Sequence, residues 1–154
     1  MEKIKDIFLS KILYMITIVG LIAVSGILIT LPKCVGWFLK ETVFYATVEH
    51  WKIMTLLYVT GIPAWLIIWF TRGLAQNIIS RNPFSKKSTL YLKGISICAF
   101  SVFICYLFAC FKIKATVAFV VITIGAFVVA LIAAILYRLV DLAIEIKEEN
   151  ELTI

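Results

Sequence analysis

Four long apolar stretches, separated by short clusters of charge, dominate the chain. Residues 12–31, 53–70, 94–111 and 115–137 contain no Asp, Glu, Lys or Arg. A helix needs about 20 apolar residues to cross the roughly 30 Å hydrocarbon core of a bilayer, and about 17 are the minimum. None of the stretches alternates as a barrel strand does, and in lipid each must satisfy its own backbone hydrogen bonds. The pattern predicts an all-α membrane protein, a four-transmembrane-helix bundle in which residues 1–154 form a single domain.

The composition supports lipid as the solvent of these stretches. Of 154 residues, 63% are hydrophobic and 16% are charged, whereas a soluble domain is about half apolar and a quarter charged. A water-soluble protein of this size has too little interior to bury so much apolar surface.

The basic residues before the first stretch are also typical of signal peptides. However, 20 apolar residues exceed a usual signal core and no small-x-small cleavage site follows, so we expect this span to be retained.

The distribution of Lys and Arg predicts the orientation. The N-terminus, the middle connection (71–93) and the tail (138–154) together hold ten of these residues, while the two other connections hold five. Because basic residues concentrate on the cytoplasmic side, we expect a multi-pass protein with both termini in the cytoplasm. Residues 71–93 then form a cytoplasmic loop. The last helix continues into a cytoplasmic extension, since Leu139, Leu142 and Ile146 recur at helical spacing.

The spans contain few residues of the types that catalysis, ion transport or metal binding require. They carry no charged side chain of the kind that pumps and proton relays use, and neither an HExxH nor a GxSxG motif occurs. His50 has no evident partner, and the four cysteines form no CxxC pair. Cys98 and Cys105 share a helix face, but they would bind a soft metal only if another helix supplied further ligands. The favoured interpretation is that they pack as small apolar side chains. We expect neither an enzyme nor a bound metal or cofactor.

Two features inside the spans concern packing. Ala126, Ala130 and Ala134 recur at every fourth residue, a spacing that lets helix backbones approach closely and could support a homo-oligomer. Gly61 and Pro63 predict a bend in the second span, because proline removes a backbone donor and clashes with the preceding turn. The bend could serve as a hinge or only shape the helix.

The two cytoplasmic segments have opposite charge. The loop carries five bases and no acid between Arg72 and Lys93, whereas the tail from Arg138 carries five acids and two bases. In the loop, Asn-Pro favours a turn and Ser85 can cap the third helix, which is the favoured interpretation; the alternative is a docking surface built from Phe84 and the basic cluster. One hypothesis has the tail folding back onto the loop and burying Leu152 and Ile154. The alternative is a solvated tail, with the loop on anionic lipid.

Two motifs carry a family resemblance. Residues 82–85, Asn-Pro-Phe-Ser, and the C-terminal Lys-Glu-Glu-Asn-Glu-Leu-Thr-Ile of residues 147–154 resemble the bacterial YoaS-like membrane proteins known as domain of unknown function 2975. Members have four spans, an Asn-Pro-Phe-Ser loop and a Glu-rich end that closes in Asp-Leu-Thr-Ile or Val. This chain departs from that pattern in Glu151, where the family has Asp, and in Lys86-Lys87-Ser88, which replaces a Glu-Asn-type helix start.

The resemblance implies a protein of the bacterial inner membrane without established chemistry. Its members often accompany a small helix-turn-helix regulator, which implies a sequestering function through the inner face and no direct contact with nucleic acid. The residues we expect to bind such a partner are Asn82, Pro83, Phe84, Ser85, Lys86 and Lys87 in the loop and Glu148, Glu149, Glu151, Leu152, Thr153 and Ile154 in the tail. The alternative is a bacteriocin-immunity or small-solute transport protein, in which residues 33–52 and the bent second span would matter.

Overall fold

Four antiparallel helices make up the described part of this computed structural model, which comprises residues 2–41, 49–113 and 115–153, with side chains described for 8–37, 49–113 and 115–153. The helices are α1 (Glu2–Glu41), α2 (His50–Ile79), α3 (Lys86–Lys112) and α4 (Val117–Leu152). Each is long and apolar enough to cross a membrane, so the expected all-helical, four-span fold is confirmed. Lys114 and Ile154 lie outside the described residues, as do the side chains of Lys3, Lys5 and Lys40.

The helices extend well past the apolar stretches. At 1.5 Å per residue the 36 residues of α4 measure about 54 Å, against a hydrocarbon core of roughly 30 Å. The predicted helical continuation of α4 through residues 138–152 is therefore confirmed. Helix also fills most of the connection 71–93, because α2 runs to Ile79 and α3 begins at Lys86. The helix ends therefore do not coincide with the charge boundaries from which the spans were predicted.

The helices pack in chain order. α1 lies against α2, α2 against α3 and α3 against α4, and no other pair packs within the described part of the chain. The end that carries the α2–α3 turn is called the loop end; the α1–α2 and α3–α4 connections lie at the opposite end. Most of the apolar surface faces outward, as for Ile29, Phe111 and Val117, which are each at least 80% exposed. Such surface is stable only if lipid, or another apolar surface, covers it.

Two aromatic side chains hold α2 close to α3 at the loop end. The ring of Phe70 on α2 lies over Gly94, and the ring of Tyr91 on α3 lies over Gly73. A methyl group on either glycine would come within 2.7 Å of the opposing ring, so only glycine permits this approach. The two rings also contact each other, with centroids 6.1 Å apart. This pair of contacts fixes the two helices that carry the loop-end turn.

Small residues of α4 pack against α3. Ala130 and Ala133 are buried, and the Ser96 hydroxyl on α3 donates a hydrogen bond of 3.0 Å to the Ala130 carbonyl. Ala126 and Ala134 are half-buried. The stripe thus already packs within the chain, so a second copy that used it would have to displace α3; self-association through it stays a prediction. Pro63 lies inside an uninterrupted α2, and the functional meaning of a bend there also stays a prediction.

Candidate functional site at the loop end

The α2–α3 turn is built by backbone hydrogen bonds of a helix C-terminal motif. The Arg81 N–H donates to the Ile78 carbonyl and the Asn82 N–H to the Asn77 carbonyl, both at 3.0 Å. These two bonds define a Schellman motif, whose penultimate residue adopts the left-handed conformation and is usually glycine. Here Arg81 occupies that position with φ of 55°. A long basic side chain therefore occupies a position at which the backbone favours glycine. The Arg81 side chain is exposed.

Serine side chains start α3. Ser85 is the N-cap, and its hydroxyl accepts a hydrogen bond from the Ser88 N–H, so the predicted capping function is confirmed. Ser88 is almost fully buried, 1% exposed, and its hydroxyl contacts Ser85 Oγ at 3.2 Å. The Asn77 amide of α2 donates to the same Ser88 hydroxyl at 3.0 Å. The polar network ties the end of α2 to the start of α3 and so fixes the direction in which the turn is presented.

A groove of about 530 Å³, called the charged groove below, lies between the start of α3 and the extension of α4. Its α4 wall carries carboxylates at positions i, i+4 and i+7, and its α3 wall carries two lysines. The lining residues are Lys86, Thr89, Leu90, Lys93, Tyr137, Asp141, Ile144, Glu145 and Glu148. Three acids against two bases leave the groove with an excess of negative charge, concentrated on α4.

One ion pair closes the groove at its outer end. Lys86 Nζ lies 3.1 Å from Glu148 Oε1, with both side chains more than half exposed. An exposed pair of this kind contributes only about 0–1 kcal/mol to stability, so it does not lock the groove. The carboxylate of Asp141 lies 3.9 Å from Arg138 on its own helix. Within the described residues Glu145 and Lys93 form no ion pair, so the groove retains charge for a ligand.

The tail meets the loop from the side, without folding back. Glu148 reaches Lys86 because α4 continues as one uninterrupted helix to the start of α3. Of the two alternatives for the tail, the one that buries Leu152 is wrong: this side chain is 88% exposed, since α4 at that point has passed the start of α3. Its counterpart Ile154 lies outside the described residues.

The remaining predicted site residues lie on the surface around the groove. Asn82, Phe84 and Lys87 are exposed on the turn and the first turn of α3, while Pro83 is half-buried. On α4, Glu149 and Glu151 are exposed; Glu151 pairs with Lys147 at 4.0 Å, and the Thr153 hydroxyl donates to the Glu149 carbonyl. Among the described residues, Lys86 and Glu148 are thus the predicted pair through which the loop contacts the tail.

Several residues of the loop end were not predicted. The spacing of Asp141, Glu145 and Glu148 could have indicated an acidic helix face, and a Ser at the third position after the Ser85 cap could have indicated a local network. The positions of Asn77 and Lys93 follow only from which helices are neighbours. No group of three or more His, Cys, Asp or Glu side chains suited to a metal occurs among the described residues.

An arginine links α1 to α2 near the same end. The guanidinium of Arg72 donates to the Tyr14 hydroxyl from Nε at 3.3 Å and from a terminal nitrogen at 3.0 Å. It also lies 5.4 Å from the ring centroids of both Tyr14 and Trp69. The ion pairs of the described residues do not include Arg72. Its charge is therefore stabilised by a phenol and two aromatic faces.

We expect Arg81→Gly to stabilise the protein. Glycine adopts the left-handed conformation without the cost of about 1–2 kcal/mol that other residues pay, so the free energy of unfolding should rise by up to about 1 kcal/mol. Thermal unfolding in detergent measures the change. Ser80→Gly is the matched control, because Ser80 has φ of −74° and gains nothing from glycine. Equal effects of the two substitutions would contradict this assignment of the turn.

Comparison with known proteins identifies relatives but no function. The family described as "Protein of unknown function (DUF2975)" matches residues 34–154, which confirms the resemblance inferred from the two motifs. The protein described as "Uncharacterized membrane protein YoaS", from Bacillus subtilis (strain 168), is 29% identical over an alignment of 164 residues that covers all of both chains. No solved structure matches.

Proposed function

Because the chain belongs to the DUF2975 family, whose function is unknown, we propose a function from the geometry of its loop end. The protein is a non-enzymatic regulatory membrane protein. Its loop end faces the cytoplasm and binds a small helix-turn-helix DNA-binding regulator, which is thereby held at the membrane. The charged groove is the observation that carries this proposal.

Charge complementarity is the first argument for this partner. DNA-binding proteins carry basic surfaces that neutralise phosphates, and such a surface is attracted to any comparable array of carboxylates. Asp141, Glu145 and Glu148 present three carboxylates along about 10 Å of the α4 extension. A regulator bound there would have part of its basic surface covered, so binding to this protein and binding to DNA would compete.

The turn beside the groove supplies the second argument. Phe84 is 55% exposed and Arg81 keeps a left-handed backbone conformation that glycine would adopt at lower cost. Costly conformations persist mainly where the side chain has a use, and binding surfaces are enriched in aromatic and arginine side chains. The turn lies next to Lys86, which lines the groove, so the two features adjoin each other.

Regulation requires that the surface exist in two states with unequal affinity for the regulator. A signal shifts the balance only by the difference between its own affinities for the two states. The Lys86–Glu148 pair is exposed and weak, so this contact does not itself hold the α4 extension against α3. We therefore place the regulated movement in the α4 extension.

The test uses the protein in lipid nanodiscs and the small helix-turn-helix protein encoded beside its gene. We expect binding, measured by fluorescence anisotropy, and release of the regulator from its operator DNA. Removal of residues 145–154 should abolish both. Glu145→Lys should weaken binding at least about tenfold, since like charges facing each other across an interface cost several kcal/mol.

Glu49→Lys is the matched control, because Glu49 lies before α2 at the opposite end of the molecule. It should bind the regulator as the unmodified protein does. Undiminished binding by the truncated protein would refute the proposed function. A loss of binding in Glu49→Lys equal to that in Glu145→Lys would also refute it, since the groove would then have no special part.

A further inference from the structure

The end of the molecule opposite the loop carries a second groove, called the apolar groove. It has a volume of about 550 Å³, which is within the range of roughly 300–1,000 Å³ typical of small-molecule sites. It lies between the first turns of α2 and the last turns of α3. Its lining residues are Trp51, Lys52, Thr55, Leu56, Val59, Cys105, Phe108, Ala109, Lys112 and Ile113.

The groove follows from the way α2 and α3 pack. At the loop end Gly73 and Gly94 let the two helices approach until aromatic rings cover the glycines. At the opposite end the facing residues are larger, as with Leu56 and Phe108, and no glycine of either helix lies there. The helices therefore leave space between them as they run away from the loop end.

The groove is arranged as a site for an amphiphile. Trp51 to Val59 extends about 12 Å along α2, from the charged mouth toward the middle of the span. Below the mouth the walls are almost entirely apolar, and a space of that kind does not retain water. The Trp51 side chain, 77% exposed, lies at the mouth, and tryptophan is enriched at the level of lipid headgroups in membrane proteins.

The charged residues at the mouth of the apolar groove favour an anionic ligand. Lys52 and Lys112 stand on its two sides, one on each helix. Lys52 Nζ lies 3.3 Å from Glu49, whereas Lys112 forms no ion pair within the described residues. Two bases and one acid leave a net positive mouth above an apolar slot. Lysine ammonium groups bind phosphate through charge-assisted hydrogen bonds, so the mouth suits an anionic headgroup.

We propose that the apolar groove binds an anionic phospholipid of the surrounding bilayer. One acyl chain lies between α2 and α3, along Leu56, Val59 and Phe108, and the phosphate contacts the ammonium group of Lys112, with Lys52 contributing from the other side. This site is separate from the loop end and does not depend on the regulator that we propose there.

Trp51 serves as a native reporter of this lipid. The protein with Trp37, Trp65 and Trp69 replaced by phenylalanine retains Trp51 alone. This protein is reconstituted in vesicles of unbrominated phosphatidylcholine. One sample contains a small, fixed mole fraction of brominated phosphatidylglycerol, and the other contains the same fraction of brominated phosphatidylcholine. In both brominated lipids the bromine lies near the ester end of the acyl chain. We expect brominated phosphatidylglycerol to quench Trp51 more strongly. From the quenching, the association constant of phosphatidylglycerol should exceed that of phosphatidylcholine by at least about fivefold. This is the factor that one base near an anionic lipid contributes.

Lys112→Gln should remove most of that preference and leave quenching by brominated phosphatidylcholine unchanged. Lys11→Gln is the matched control, because it removes another exposed lysine, from α1 near the loop end. It should keep the preference. Equal quenching by the two lipids in the unmodified protein, or a preference that survives Lys112→Gln, would overturn the proposal. Circular dichroism of each variant verifies that the helices are intact.

Discussion

Gly94→Ala is expected to lower the free energy of unfolding by about 1–3 kcal/mol, the usual cost of inserting a methyl group into a filled contact. The new methyl group would lie 2.7–3.0 Å from three ring carbons of Phe70. The ring cannot turn away freely, because it also contacts the ring of Tyr91. α2 and α3 would have to separate, and the separation would loosen the turn that both helices hold. Reversible unfolding in mixed detergent micelles measures the loss.

Two other glycines serve as controls for this result. Gly125→Ala meets no atom within 4 Å, so it should be neutral or stabilise α4 by roughly 0.5–1 kcal/mol. Gly61→Ala meets only the tip of the Leu28 side chain, which can rotate, so its cost should be small. If Gly94→Ala proved as harmless as Gly125→Ala, the close contact between α2 and α3 at the loop end would be contradicted.

Tyr14→Phe is the second substitution with a large expected effect. It removes the hydroxyl that accepts two hydrogen bonds from the half-buried guanidinium of Arg72. Hydrogen bonds to a charged group contribute about 1.5–3 kcal/mol, and we expect a loss of stability of that size. In the Arg72→Met background the same substitution should cost much less, because no charge is then left without an acceptor. The double-mutant cycle reports the coupling directly.

Tyr58→Phe is the matched control for the α1–α2 contact. The Tyr58 hydroxyl also reaches from α2 to α1, but its distance to the Leu28 carbonyl is 3.5 Å, at the limit of a hydrogen bond. Its removal should change stability by less than about 0.5 kcal/mol, since substitutions away from strong interactions usually do so. Additive effects of Tyr14→Phe and Arg72→Met would show that this contact does not hold α1 to α2.

Local features of the sequence were sufficient to predict the helices. The gaps between charges located the spans, because a charge is costly in lipid wherever it lies along the chain. Ser85 was identifiable as a cap from its own side chain and the helix-forming residues after it. The continuation of α4 followed from the spacing of Leu139, Leu142 and Ile146. Each inference needed only residues within a few turns of one another.

The sites could not be predicted in the same way, because they depend on which helices are neighbours. Arg72 meets Tyr14 across 58 positions of sequence, and Asp141 faces the groove only because α4 packs on α3. The left-handed conformation of Arg81 runs against the preference of its residue type. Whether Leu152 is buried or solvated could not be decided from the charges of tail and loop alone; it is exposed because α4 continues beyond the start of α3.

The regulatory account requires the turn and the α4 extension to lie together on the cytoplasmic side. Cysteine accessibility in living bacteria tests this most directly. The background replaces Cys34, Cys98, Cys105 and Cys110 with alanine, and single cysteines are then placed at Phe84, Leu152 and Trp51, which are all exposed. A membrane-impermeant maleimide should label the Trp51 position in intact cells. It should label the positions of Phe84 and Leu152 only after the membrane is permeabilised. Labelling of either of these two positions in intact cells would contradict the account.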